Sequence, residues 1–238
     1  MGVSRSAGLA SGVVGFEPDE LIVHVRAGTT MVDLAAILAA RAQRVRIPAV
    51  GTVGGAIAAR RNGPYAADNA ALPNIALRIR AVDGTGRAFT AGGATVKNVS
   101  GFDLVKVLVG SRGTLATITE VTLRTEPVPR ASRWFVGQGS TAALYRPSVV
   151  ARLGDRTFVN LEGHPDDVME QALLLRGFTE CATPDAAQMM ELVPIDRLGS
   201  PSVGPDVEAT HRIARRLKEF FDPENSLAPQ ASVEMGLV

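Results

Sequence analysis

The chain has 238 residues, of which 46% are apolar and 21% charged, with a formal net charge of +1. That is a globular composition with a sizeable core, in one large unit or two small ones, and it excludes an intrinsically disordered chain. Lysine occurs only at Lys97, Lys106 and Lys218, so no field of charge points to nucleic acid or an anionic membrane surface. The single cysteine, Cys181, excludes an internal disulfide and fits a reducing, cytoplasmic setting; it reads as incidental, without a basic neighbour to activate the thiol. No stretch is long and apolar enough for a membrane span, and the amino terminus lacks a secretory core. The myristoylation-like Gly2/Ser6 and the sequon at Asn98 are patterns short enough to recur by chance.

In chain order, Leu21 to Val25 reads as an apolar strand ended by Gly28. Thr30 and Asp33 then open a helix whose Met31, Leu34, Ala35 and Leu38 recur at helical spacing. Ile75 to Val82, Asp83-Gly84 and Arg87 to Thr90 predict a hairpin. Leu115 to Thr125 predicts a strand with Thr117, Thr119, Val121 and Leu123 on one side, stopped by Pro127 and Pro129. Beyond Pro129 the pattern predicts strands at Val149 to Leu153 and Phe158 to Leu161 and a helix from Asp166 to Leu175. Pro201 to Pro205 reads as a linker, and a last helix opens at Asp206 with Ala209, Ile213, Leu217 and Phe220 inward. The fold class expected is α+β.

Three glycine-punctuated segments stand in order along this frame: Gly51-Thr-Val-Gly-Gly55 with Ala56-Ile57, Gly101-Phe-Asp-Leu104, and Gly110-Ser-Arg-Gly-Thr-Leu115 running on to Ile118. Glycine lets backbone approach a bound group closely, and free amides suit phosphate oxygens. With these segments the chain resembles the FAD-binding (PCMH-type) domains of the vanillyl-alcohol oxidase superfamily. Within it, the likeness is greatest to the FAD-binding subunit of glycolate oxidase and its D-lactate dehydrogenase relatives.

The resemblance implies mixed or antiparallel sheets with flanking helices and a small, reduced cap. It implies an FAD-binding domain over residues 1–133, a cap over 134–204 and a carboxy-terminal helix and tail over 205–238 that packs back on the first. It implies noncovalent FAD held by Gly51, Thr52, Val53, Gly54, Gly55 and Ile57, then Gly101, Phe102, Asp103 and Leu104, then Gly110, Ser111, Gly113, Thr114, Leu115 and Ile118. It implies oxidation of a small 2-hydroxy acid, with electrons passed to a partner subunit. The alternative is a flavin-free paralogue that serves as an assembly subunit. The family's earlier arginine- and glycine-rich loop has at most a remnant in Ser6 to Gly12. Where the family carries small residues, this chain has Arg60 and Arg61. With Lys97 they are the nearest candidates for anion contacts, or else solvated side chains. His24, His164 and His211 are scattered, without metal-ligand spacing, and no residue presents itself as a catalytic base.

Overall fold

A computed structural model describes residues 8–67, 72–93, 103–195, 207–235 and 237. Of the sequence expectations, Gly101, Phe102, Lys97, the linker at 201–205 and the helix start at Asp206 lie outside the described residues.

Two five-stranded antiparallel sheets follow one another along the chain. The first has the order β1-β2-β6-β4-β5, from β1 (Val13–Glu17), β2 (Ile22–Arg26), β4 (Ala76–Asp83), β5 (Ala88–Gly92) and β6 (Ala116–Arg124). The second has the order β11-β8-β10-β9-β12, from β8 (Ala131–Gly137), β9 (Val149–Leu153), β10 (Arg156–Gly163), β11 (Phe178–Cys181) and β12 (Val193–Pro194). A short pair, β3 (Gln43–Arg44) with β7 (Glu126–Pro127), lies apart from both sheets.

The first sheet is amphipathic. Val23, Val25, Ile79, Ala81, Val121 and Leu123 form its buried face, together with residues from α1 (Met31–Ala39), α2 (Val53–Ala58), α3 (Leu72–Ile75) and α4 (Leu104–Leu108). The other face is polar: the His24 ring lies 2.8 Å from the Thr122 hydroxyl, to which Arg78 donates at 3.2 Å. In α1, Thr30 caps Asp33 N–H as its spacing predicts, and Met31, Leu34 and Leu38 turn inward while Ala35 stays exposed.

The strand at 116–124 differs from strict alternation. Arg80 pairs with Glu120 and Ala81 with Ile118, so β6 carries one extra residue at that point. Such a bulge reverses the phase of the faces. Ala116 and Ile118 before it therefore share the core with Val121 and Leu123 after it, while Thr117 and Thr119 do not.

The second sheet is covered on both faces. Trp134, Val136, Val149, Ala151 and Phe158 cluster on one with Met189 of α6 (Ala186–Glu191) and Leu192. Phe135, Val159 and Leu161 cluster on the other with Val168 of α5 (Pro165–Ala172) and Leu175. His164 supplies the cap of α5, which ends before the expected Leu175.

The carboxy-terminal helix α7 (Val207–Phe221) packs with a different phase from the one its apolar residues suggest. Ile213 and Phe220 are exposed, whereas Lys218 is 2% exposed and Phe221 is buried. The reason is a buried ion pair, Lys218 with Asp222, around which the last turn is built. The Lys218 ammonium also donates to the Thr114 carbonyl at 2.9 Å and the Leu227 carbonyl at 3.1 Å. Asp222 in turn accepts from the N–H groups of Ser226 (2.9 Å) and Leu227 (2.8 Å). At the hairpin turn, Gly84 N–H donates to the Phe221 carbonyl at 2.7 Å. A methyl at Gly84 would stand 2.1 Å from an Asp222 oxygen, so this turn needs glycine for close approach.

Candidate functional site

The first glycine segment makes a turn and enters α2. Thr52 caps the helix, its hydroxyl accepting Gly55 N–H at 3.2 Å. Val53 N–H donates to the Thr29 carbonyl and Gly54 N–H to the Ala27 carbonyl, both at 2.9 Å. These amides are therefore engaged in fastening α2 to the end of β2. Gly54 is glycine for packing: a methyl there would lie 2.7 Å from the Ala27 methyl. Val53, Gly54 and Ile57 face inward, while Gly51 is exposed and Thr52 and Gly55 are half-buried.

The third segment is joined directly to the first. Gly110 N–H donates to the Ile57 carbonyl at 3.0 Å and Arg112 N–H to the Ala58 carbonyl at 2.8 Å, so the end of α2 is satisfied by the Gly110 loop. Gly110 and Gly113 have φ of +91° and +76°, a region glycine enters without cost. From the second segment, Asp103 caps α4, accepting Lys106 N–H at 3.4 Å, and Leu104 packs against the core. α4 then delivers the chain to Gly110.

Behind the Gly110 loop lies a cavity of about 290 Å³, lined by Val107, Ser111, Leu115, Leu217 and Leu237 among others. Its size is at the lower end of small-molecule sites. Thr114 is satisfied, its hydroxyl donating to the Ser111 carbonyl at 2.6 Å, but the buried Ser111 hydroxyl has no hydrogen-bond partner among the described residues. Leu115 and Ile118 belong to the core.

The structure thus brings Gly51, Thr52, Gly55, Gly110, Ser111 and Gly113 into one neighbourhood, sets Asp103 at the opposite end of α4 from Gly110, and assigns Val53, Gly54, Ile57, Leu115 and Ile118 to the packing beneath it. Arg61, which sequence left between anion contact and solvation, is half-buried with its guanidinium laid over Gly51. Lys218, which sequence reasoning passed over, holds the Thr114 carbonyl of the third segment. Its signal was the Lys218/Asp222 spacing of four, which puts both charges on one helix face.

The remaining reactive side chains stand elsewhere: His24 on β2, His164 at the start of α5, His211 on α7 and Cys181 on β11, where burial raises the thiol pKa. Among the described residues no group of His, Cys, Asp or Glu is placed to hold a metal ion. No described helix is long and apolar enough to cross a membrane.

This architecture is the FAD-binding (PCMH-type) fold, with antiparallel sheets and flanking helices. An alkyldihydroxyacetonephosphate synthase structure superimposes on 76% of this chain and 43% of its own, with a TM-score of 0.56 and 15% identity. In sequence, parts of the chain are similar to a glycolate oxidase subunit, a D-lactate dehydrogenase and an FAD-linked oxidoreductase. It is 35% identical over 126 residues to the glycolate oxidase subunit GlcE of Escherichia coli (51% of this chain, 36% of the relative). It is 46% identical over 79 residues to a D-lactate dehydrogenase of Archaeoglobus fulgidus (33% and 18%). It is 31% identical over 109 residues to an FAD-linked oxidoreductase of Mycobacterium tuberculosis (44% and 24%). The chain thus spans about a third or less of the length of these relatives. No family model matches it.

Proposed function

We propose that the chain is the FAD-binding part of an oxidoreductase that oxidises a small 2-hydroxy acid, such as glycolate or D-lactate, and that it works with a partner subunit in the cytoplasm. The observation that carries this reading is the junction of the first and third glycine segments, in which the carbonyls at the end of α2 receive the Gly110 loop. The residues present suit a flavin dinucleotide: bare backbone at Gly51 and Gly55, and an unpartnered Ser111 hydroxyl beside a cavity. The resemblance to a glycolate oxidase subunit supports the hydroxy-acid substrate and the partner.

When bound, the flavin supplies a two-electron acceptor for conversion of the 2-hydroxy acid to the 2-keto acid. The protein's own part is positional. Gly51, Thr52 and Gly55 form the floor of the site, Gly110 and Gly113 turn the chain beside it, and Ser111 offers one hydroxyl. Asp103 fixes the start of α4, and Lys218 fixes Thr114 from behind. Noncovalent attachment is favoured because no histidine or cysteine occurs within the glycine segments. Onward electron transfer is assigned to the partner, since a single cysteine cannot ligate an iron-sulfur cluster of its own.

The test is the visible absorption spectrum of the purified protein with and without added FAD, followed by heat release of any pigment. Stoichiometric flavin, released by heat and bleached by glycolate or D-lactate, is the expected result. A colourless protein that ignores FAD would instead favour the flavin-free assembly subunit.

A further inference from the structure

α2 ends in a Schellman arrangement: Arg60 N–H donates to the Ile57 carbonyl at 3.1 Å and Arg61 N–H to the Ala56 carbonyl at 2.9 Å. The residue between helix and exit takes a left-handed conformation, a place usually given to glycine. Here it is Arg60, at φ +49°. The turn sends the next side chain back along the helix. The Arg61 Nη1 atom consequently lies 2.6 Å from where a Cβ of Gly51 would stand and 3.9 Å from that of Gly55. A side chain at position 51 would displace the guanidinium, and the φ of +70° there itself favours glycine.

The guanidinium is placed differently from those arginines that pair with a carboxylate. Arg44, Arg46, Arg80, Arg87, Arg112 and Arg133 each have a carboxylate partner. Among the described residues Arg61 has neither a carboxylate nor a hydrogen-bond partner, although it is half-buried. The stem of Arg60 lies against Gly110, within 3.5 Å of a Cβ built there, so the arginine pair spans the first and third glycine segments. A planar fork of donors, held over glycine backbone with no carboxylate beside it among the described residues, is suited to bidentate contact with phosphate oxygens.

We propose that Arg61 is an anion-binding residue, its guanidinium laid over Gly51 and Gly55 to receive the diphosphate of a bound dinucleotide. The inference rests on the flavin reading for the identity of that dinucleotide, but not for the anion chemistry.

The experiment is calorimetric titration of the full chain and of Arg61→Gln with inorganic pyrophosphate, FAD and riboflavin, with thermal unfolding as the control for folding. Arg61→Gln should melt as the wild type does, because the side chain has no protein partner to lose. It should bind pyrophosphate and FAD about ten- to a hundredfold more weakly, the scale of hydrogen bonds to a charged group. Riboflavin, which has no phosphate, should be unaffected, and Arg61→Lys should recover part of the loss. Unchanged pyrophosphate binding in Arg61→Gln overturns the proposal. So does tighter binding, which would make the guanidinium an obstruction, and so does a wild type that ignores pyrophosphate. Arg61-dependent pyrophosphate binding without FAD binding would uphold the anion site and remove the flavin reading.

Discussion

The two sheets solve the same problem by different means. The first buries one face under helices and leaves the other polar, and its most informative contacts are backbone ones: Gly110 to Ile57, Gly54 to Ala27, Gly84 to Phe221. The second is covered on both faces by two small clusters, and side-chain charge ties it to the β3–β7 pair. Arg44 on β3 forms a bidentate pair with Glu162 on β10 and also bonds Glu126 on β7 at 2.9 Å. Ser132 and Ser148 complete the Glu162 carboxylate at 3.2 and 2.9 Å. Glycine loops tolerate little change in shape because backbone touches backbone. An ion-pair junction tolerates changes in shape but not in charge.

The largest effect is expected at the Lys218–Asp222 pair, where both charges are buried. Lys218→Met should cost about 3–5 kcal/mol, because it strands the Asp222 carboxylate without a counter-ion. Denaturant unfolding measures this, and pairing it with Asp222→Leu should restore a substantial part. Were the single change neutral, the carboxy-terminal clamp would not hold the Gly110 loop.

The next effect sharpens the contrast in shape. Gly54→Ala should destabilise by about 1–3 kcal/mol, since its methyl overlaps that of Ala27. Gly113→Ala, with nothing within 4 Å of the new methyl but a φ of +76°, should cost about 1 kcal/mol of backbone strain. Equal costs would mean that space, not backbone geometry, is unimportant beneath the glycine floor.

At the charged junction, Glu162→Gln should cost about 1–3 kcal/mol and increase proteolytic cleavage between residues 127 and 131, while the far edge of the first sheet keeps its hydrogen-exchange protection. Uniform loss of protection would show that the two units unfold together.

Acid should separate the contributions more gently. Burial alone would raise the Asp222 carboxyl, but the Lys218 ammonium and the Leu227 and Ser226 donors more than offset it and hold the pKa at about 2. Burial likewise opposes, and Arg44 outweighs, in lowering that of Glu162. A carboxylate depressed in the folded state contributes stability that is present above its unfolded value, near ~4, and is lost as pH falls through the folded value. Unfolding free energy should therefore fall between about pH 4 and pH 2, and Asp222→Asn should flatten that slope more than Glu162→Gln.

Local pattern by itself determined much of this protein. Alternation and turn residues mark β4, β5, β9 and β10, and Thr30 marks the start of α1, because each depends on neighbours a few residues away. The three ordered glycine segments pointed to the fold, because their spacing along the chain survives folding unchanged.

Tertiary structure alone decided the rest. The bulge in β6 arises from pairing with β4, not from its own residues, and it moved Ile118 to the core face. The burial of Lys218 is set by Asp222, Thr114 and Leu227, which surround it only in the folded chain. Arg61 was ambiguous because a side chain's direction depends on the turn before it, and a bare surface exists for it only where Gly51, ten residues earlier, folds back beneath it.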